Sequence, residues 1–272
     1  MDAFIKLSVH TSVAVEKDLI TGILSEAGFD GFEEEQHMLH AYISADLFDE
    51  ATAKELLQPH GVLFSVELIP GKNWNDEWEK NFKPVLVNNF CCIRASFHPP
   101  VAGIKYDIVI TPRMSFGTGH HATTYLMLQQ MESITFKNKI VLDFGTGTGV
   151  LAILAEKLGA AEIVAIDNDK WSIENAGENV RENNCLKIRI EESGNIDSNR
   201  QFDVILANIN RNVLLDQMAN LSQHLKKDGV LLMSGLLSGD RSKIEAAAID
   251  SGLRINEENE LEGWIVLKLV HN

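Results

Sequence analysis

The segment Asp143-Phe144-Gly145-Thr146-Gly147-Thr148-Gly149 sets three glycines at alternate positions. It follows the apolar run Ile140-Val141-Leu142 and precedes Val150-Leu151-Ala152-Ile153-Leu154-Ala155. The first run reads as a buried strand and the second as a helix, so the glycines turn a strand into a helix. Glycine accepts positive φ and has no Cβ, which lets a ligand lie directly on the backbone. Asp167 ends the next apolar run, Ile163 to Ile166, 22 residues after Gly145. A dinucleotide site needs G-x-G-x-x-G, with a pyrophosphate at the helix N-terminus. Here the spacing is G-x-G-x-G, and Val150 stands where the third glycine belongs. S-adenosylmethionine has no phosphate; it needs a flat backbone approach and a carboxylate for its ribose hydroxyls, and Asp167 stands near the expected spacing. The competing reading keeps the glycines for packing only and makes Asp167 a helix cap.

A second candidate group is Asn208-Ile209, which follows the apolar run Val204 to Ala207. Reacting groups in an open α/β sheet sit beyond the carboxyl ends of the strands. The Asn208 side-chain oxygen can accept a hydrogen bond from an amine; alternatively, Asn208 caps the next helix. The third is Phe116-Gly117-Thr118-Gly119-His120-His121-Ala122-Thr123-Thr124, ahead of a helix over 123–131. Its paired glycines, histidines and threonines suit a site-lining loop, or a plain turn in which Thr123 or Thr124 caps the helix.

The elements around these groups follow from periodicity. From 139 onward, strands and helices alternate: strands 140–143, 163–166, 187–190, 204–207 and 230–233, helices 149–158, 171–183, 212–225 and 238–250, and a turn at Asp228-Gly229. Such alternation means a mostly parallel sheet with helices on both faces. The last two strands, 253–258 and 264–270, have too short a connection for a parallel crossover and must form an antiparallel hairpin. The expected catalytic domain, 85–272, is therefore a Rossmann-like α/β fold with a seven-stranded sheet, preceded by strands at 85–87, 90–97 and 106–110. Residues 1–69 read as strand 4–9, helix 14–27, strands 29–34 and 38–43, helix 51–57 and strand 62–69. That order is the split β-α-β, or ferredoxin-like, α+β pattern. Between the two lies a linker, 70–84, in which Trp74, Trp78 and Phe82 share one helix face.

Composition narrows the function classes. The 272 residues carry a net charge of −15, which disfavours non-specific nucleic-acid binding and suits a cationic partner. Residues 1–72 hold thirteen acids against four lysines, so −9 of that charge falls in about a quarter of the chain. This is either a solvated surface or a docking face for a basic protein. No apolar stretch is long enough to span a membrane and no signal peptide is evident, so a cytoplasmic protein is expected. Cys91, Cys92 and Cys185 lack metal spacing, which points to reduced thiols and no zinc site.

These motifs together resemble the class I S-adenosylmethionine-dependent methyltransferases. More closely, they resemble the bacterial family that methylates ribosomal protein L-eleven of the large-subunit stalk base. The resemblance rests on the W-x-x-x-W-x-x-x-F-x-P linker from Asn73 to Pro84, the loop from Phe116 to Thr124, Asp143 to Gly149 with Asp167, and Ala207-Asn208-Ile209. It spans the whole chain and implies S-adenosylmethionine as cofactor, bound by Phe116, His121, Thr124, Asp143, Gly145, Gly147, Asp167 and Asn208. Asn208 and Ile209 become the catalytic pair, and no metal is implied. It implies methylation of lysine ε-amines and the N-terminal amine of a basic ribosomal protein, taken free or before assembly by a monomer through its N-terminal domain. His120 and Ala122 depart from the family's common threonine and proline, which changes the stiffness of the loop. The alternatives are a small-molecule or RNA methyltransferase and a non-catalytic cofactor-binding protein.

Overall fold

A computed structural model describes residues 3–11, 14–69, 83–111 and 121–272. The expected linker helix, Phe116 and His120 lie outside the described residues. The chain divides into two compact units, 1–82 and 83–272.

The first unit runs β1 (Phe4–His10), α1 (Ala14–Glu26), β2 (Gly31–Glu35), β3 (Met38–Ser44), α2 (Glu50–Leu57) and β4 (Phe64–Ile69). Its antiparallel sheet has the order β2-β3-β1-β4, the ferredoxin-like arrangement. Alternation along β1 and β3 puts Leu7, Val9, Leu39 and Ala41 into a core completed by Ile20 and Leu24 of α1. Asp49 starts α2 by accepting from Thr52 N at 2.9 Å. A short turn through Pro59 ends at Gly61, whose φ is 67°. Strand β4 then begins at Phe64, not Val62. Strand β2 is an edge whose Glu33, Glu34 and Glu35 are exposed; charge on an open edge discourages strand addition.

The second unit begins with a three-stranded sheet, β5 (Val85–Val87), β6 (Cys91–Ala95) and β7 (Tyr106–Ile110). There follow α3 (Ala122–Met131), β8 (Ile140–Phe144), α4 (Val150–Lys157), β9 (Glu162–Asp167), α5 (Lys170–Glu182), β10 (Ile188–Glu192) and β11 (Phe202–Asn208). The unit closes with α6 (Arg211–His224), β12 (Leu225–Leu237), α7 (Arg241–Asp250), β13 (Leu253–Leu261) and β14 (Trp264–His271). The main sheet has the order β10-β9-β8-β11-β12-β14-β13. From β10 to β12 all neighbours are parallel. Strand β14 is antiparallel to both β12 and β13, as the short connection required. The chain leaves β8 in one direction for β9 and returns to its other side at β11. That switch point opens a crevice at the carboxyl ends of the strands.

Strand β12 corrects the expectation of a turn at Asp228-Gly229 followed by a strand over 230–233. It starts at Leu225, and the pairing with β11 jumps from Phe202–Leu225 to Val204–Val230. The intervening residues loop out within the strand. Gly229 permits this, since a Cβ there would lie 2.7 Å from Leu225 Cδ1 and 2.8 Å from the Lys226 carbonyl oxygen. Helix α7 likewise starts at Arg241 after a tight turn over 238–240, not at 238.

The free edge of β7 is covered by asparagines of α5 and the residue that follows it. Asn183 mimics a strand partner: Val109 N donates to its Oδ1 at 3.0 Å and its Nδ2 donates to Val109 O at 2.6 Å. Fully buried Asn179 accepts from Thr111 N at 2.7 Å and donates to Thr148 O at 2.8 Å. One side chain thereby ties the end of β7 to the glycine loop. Replacing it leaves the buried Thr148 carbonyl and the Thr111 N–H without these partners. Asn179→Ala should lower stability by about 3 kcal/mol in urea unfolding; a change within error would show that this tie contributes nothing.

Candidate functional site

Strand β8 ends in the fully buried Asp143 followed by Phe144. Asp143 Oδ2 accepts from the Thr146 hydroxyl at 2.7 Å and from Ala152 N at 3.2 Å. Ala152 sits in the first turn of α4, where backbone N–H groups lack helical partners. The carboxyl group thus occupies the acceptor position of that helix end, where a dinucleotide would need its pyrophosphate. This agrees with the failed G-x-G-x-x-G spacing. Gly145 N and Thr146 N donate to Ile166 O at 2.8 and 2.9 Å, which fastens the loop across to β9. Gly145, Gly147 and Gly149 all take positive φ, at 78°, 54° and 80°. A Cβ on Gly149 would press Ala176 Cβ at 3.3 Å, so this glycine lets α4 and α5 meet closely.

The capping alternatives are settled by neighbouring residues. Asp169 caps α5 by accepting from Ser172 N at 3.1 Å. Asp167 instead accepts from Gly147 N at 2.9 Å and Asp169 N at 3.0 Å, one bond to each oxygen. A carboxylate has about four acceptor sites, so both oxygens keep capacity for two ribose hydroxyls. Asn210, not Asn208, caps α6, accepting from Val213 N at 3.1 Å. Asn208 Nδ2 donates to Thr124 Oγ1 at 3.2 Å, which leaves its Oδ1 as the acceptor. Neither threonine caps α3; His121 does, its Nδ1 accepting from Thr123 N at 3.3 Å and from the Thr123 hydroxyl at 2.8 Å. The His121 ring stands edge-on to Trp264 at 4.6 Å.

These groups border one cavity of about 1270 Å3. His121, Thr124, Gly145, Gly147, Asp167, Asn208 and Ile209 all line it. The volume exceeds the usual range for a small-molecule pocket, which leaves space for a second group beside a cofactor. Asp143 is the exception among the expected cofactor-contacting residues described: it lies beneath the loop, because its carboxylate is committed to Thr146 and α4, and it does not reach the cavity. Sequence reasoning missed Trp171, Asp216, Gly235 and Trp264, which also line it. Two of these left a signal. Ser234-Gly235 interrupts an apolar strand, the mark of a bulge. Trp264 opens a strand directly after the tight turn Glu262-Gly263, whose φ values are 54° and 80°. Among the described residues no cluster suits a metal ion, and no helix is long and apolar enough to cross a membrane.

The strand order, the glycine loop and the carboxylate ending the neighbouring strand define a class I methyltransferase, the S-adenosylmethionine-dependent type. Residues 4–272 match the model of the family described as ribosomal protein L11 methyltransferase (PrmA). The chain is 40% identical over 259 residues to the ribosomal protein L11 methyltransferase of Porphyromonas gingivalis, covering 92% of this chain and 89% of that one. It is 37% identical over 278 residues to that of Bacteroides thetaiotaomicron, covering 98% and 99%. The crystal structure of the ribosomal protein L11 methylase from Lactobacillus delbrueckii superposes with a TM-score of 0.66 at 31% identity, over 70% of this chain and 100% of that chain. The chain belongs to the ribosomal protein L11 methyltransferase family.

Burial pushes the Asp143 carboxyl up to about 7, against the opposing hydrogen bonds from Thr146 and Ala152. Its Oδ1 has no hydrogen-bond partner among the described residues. A carboxyl raised on folding binds its proton more tightly in the native state. Stability should therefore fall as pH rises from about 4 to about 7. Asp143→Asn should flatten that part of the profile in thermal unfolding between those pH values; an unaltered slope would assign the decline to other groups.

Proposed function

We infer that the protein transfers methyl groups from S-adenosylmethionine to amines of ribosomal protein L11, lysine ε-amines and the N-terminal α-amine included. The observation that carries this reading is the pairing of two preset acceptors along one cavity. Asp167 Oδ1 and Oδ2 retain acceptor capacity on the β9 side, and Asn208 Oδ1 is left free by Thr124 on the β11 side. A small-molecule or RNA acceptor, or a non-catalytic binder, is not favoured by relatives that carry a protein-methylating name.

In this reading Gly145 and Gly147 give the cofactor a backbone floor, Asp167 takes its ribose hydroxyls and Thr124 holds Asn208 in place. Bound S-adenosylmethionine supplies an electrophilic methyl on a sulfonium. The protein's task is alignment, which can account for much of the barrier. A lysine amine must be neutral to attack, although free lysine titrates near ~10.4. Ile209 and Trp264 give the acceptor slot apolar walls that favour the neutral amine. Asn208 Oδ1 accepts one amine N–H and turns the nitrogen lone pair toward the methyl. A neutral amide suits this better than a carboxylate, which would stabilise the ammonium. His121 has spent Nδ1 on Thr123 and offers no second acceptor, so the amine proton leaves to solvent. The acidic first unit supplies a docking face for the basic substrate.

The direct test is transfer of label from methyl-labelled cofactor to L11 isolated without methylation; an unlabelled product would overturn the assignment. In that assay Asn208→Ala should lower kcat about 100-fold with cofactor affinity kept, whereas Asp167→Ala should weaken cofactor binding about tenfold or more. Normal turnover in the first, or normal affinity in the second, would remove that residue from its role. A chain lacking residues 1–67 should bind cofactor yet leave L11 unmodified. Efficient modification by the truncated chain would move recognition elsewhere.

A further inference from the structure

We propose that Gly235 is a positioning residue for methyl transfer, holding the Asn208–Ile209 end of β11 at the cavity through a bulge in β12. The proposal rests on the reading of Asn208 as the group that orients the amine. Along β12 the pairing with β14 runs Met233–Leu267 and then Leu236–Ile265. Ser234 and Gly235 therefore face one residue of β14, Val266, in a bulge of the kind that redirects side chains beside active sites. Ser234 pins it by donating its hydroxyl to Ile265 O at 2.8 Å, and Ser234 is also the parallel partner of Asn208.

Gly235 has φ 89°, and its bare Cα faces the Ile209 backbone. A Cβ there would lie 2.1 Å from the Ile209 carbonyl oxygen and 2.7 Å from its carbonyl carbon. Backbone atoms cannot swing aside as a side-chain tip does, so a methyl at this point displaces the chain between Asn208 and Asn210. On the opposite side, a Cβ on Gly145 would lie 2.3 Å from Ile209 Cγ2. Ile209 is thus held from both sides, by its side chain against the loop that follows β8 and by its backbone against β12. Gly145 is bare as much to seat Ile209 as to floor a cofactor. A shift of Ile209 carries Asn208 Oδ1 with it and leaves Asp167, two strands away, in place. The expected signature is a loss of turnover without a loss of cofactor affinity.

Gly252 supplies the control. It also has positive φ, 77°, but a Cβ there meets nothing within 4 Å. Gly252→Ala introduces the backbone strain alone. With full-length protein, labelled cofactor and L11, Gly235→Ala should lower kcat about 100-fold while the cofactor Kd, measured by calorimetry, stays within about threefold. Gly252→Ala should lose stability and keep its kcat. A Gly235→Ala enzyme with the turnover of Gly252→Ala would overturn the proposal. If Gly235→Ala does not fold, Ser234→Ala decides, because it unpins the bulge without a clash. It should lower kcat about tenfold at unchanged cofactor affinity, and unchanged turnover overturns the proposal. Failure of the underlying reading is separable, since it would appear as full turnover in Asn208→Ala. With that variant inactive, an active Gly235→Ala sinks this proposal alone.

Discussion

The Asp143 carboxylate, buried under the glycine loop, holds the first turn of α4 through Ala152 N and the loop through the Thr146 hydroxyl. Helix N-termini attract acceptors, and this one is already supplied with a carboxyl oxygen from inside the protein. The upper face of the loop is thereby relieved of binding a phosphate. Its glycines can instead be fastened to β9 by Ile166 O and to the Asp167 carboxylate by Gly147 N. A loop tied at three points presents a fixed backbone edge to the cavity. Ionised, Asp143 is costly to bury, which is why its carboxyl holds a proton up to about 7. The site accepts that cost in exchange for a floor that does not reorganise.

The acceptor end depends on a different constraint, steric and not electrostatic. Asn208 is fixed by a hydrogen bond that it donates to α3, and Ile209 by close contact with a glycine of the loop after β8 and another in β12. Three elements distant in sequence meet at two consecutive residues. If Asn208 orients the amine as proposed, over-determining its position in this way is to be expected, because an error of an ångström is enough to lose most of the rate. The polar floor and the interlocked wall lie on opposite sides of β8, and the sheet's switch point brings them to one crevice.

How much of this could be read from the sequence follows from the range of each interaction. The glycine loop, Asp167 and Asn208 were legible because each is a local pattern: an apolar run ended by a polar residue. The alternating order of the second unit and its closing hairpin were legible for the same reason. Asp143 was expected at the cofactor but lies buried beneath the loop and outside the cavity, since nothing local distinguishes an acid facing a ligand from one facing the helix behind it. Strand β12 was shortened because Asp228-Gly229 is a turn signal, yet here the strand carries it as a looped-out segment beside β11. Trp264 and Gly235 reach the cavity through pairing with strands far along the chain, so only the turn and the Ser-Gly interruption hinted at them. Asn179 gave no warning, as a helix-interior asparagine is ordinarily a surface residue.

One regularity links the local and the long-range parts. Each polar residue proposed to serve the ligand stands near another residue that performs the structural task it would otherwise have. Asp169 caps α5 beside Asp167, Asn210 caps α6 beside Asn208, and His121 caps α3 ahead of Thr124. A capping side chain has its acceptor turned to its own helix and is lost to a ligand. Spacing a second residue of the same chemistry two positions on, as in Asp167-Asn168-Asp169 and Asn208-Ile209-Asn210, leaves the first with acceptor capacity toward the cavity that both border, while the helix start remains satisfied. The doubled acid and the doubled amide therefore divide the work between starting the helix and keeping an acceptor for the role proposed here. A single asparagine or aspartate at either strand end would have to choose between them.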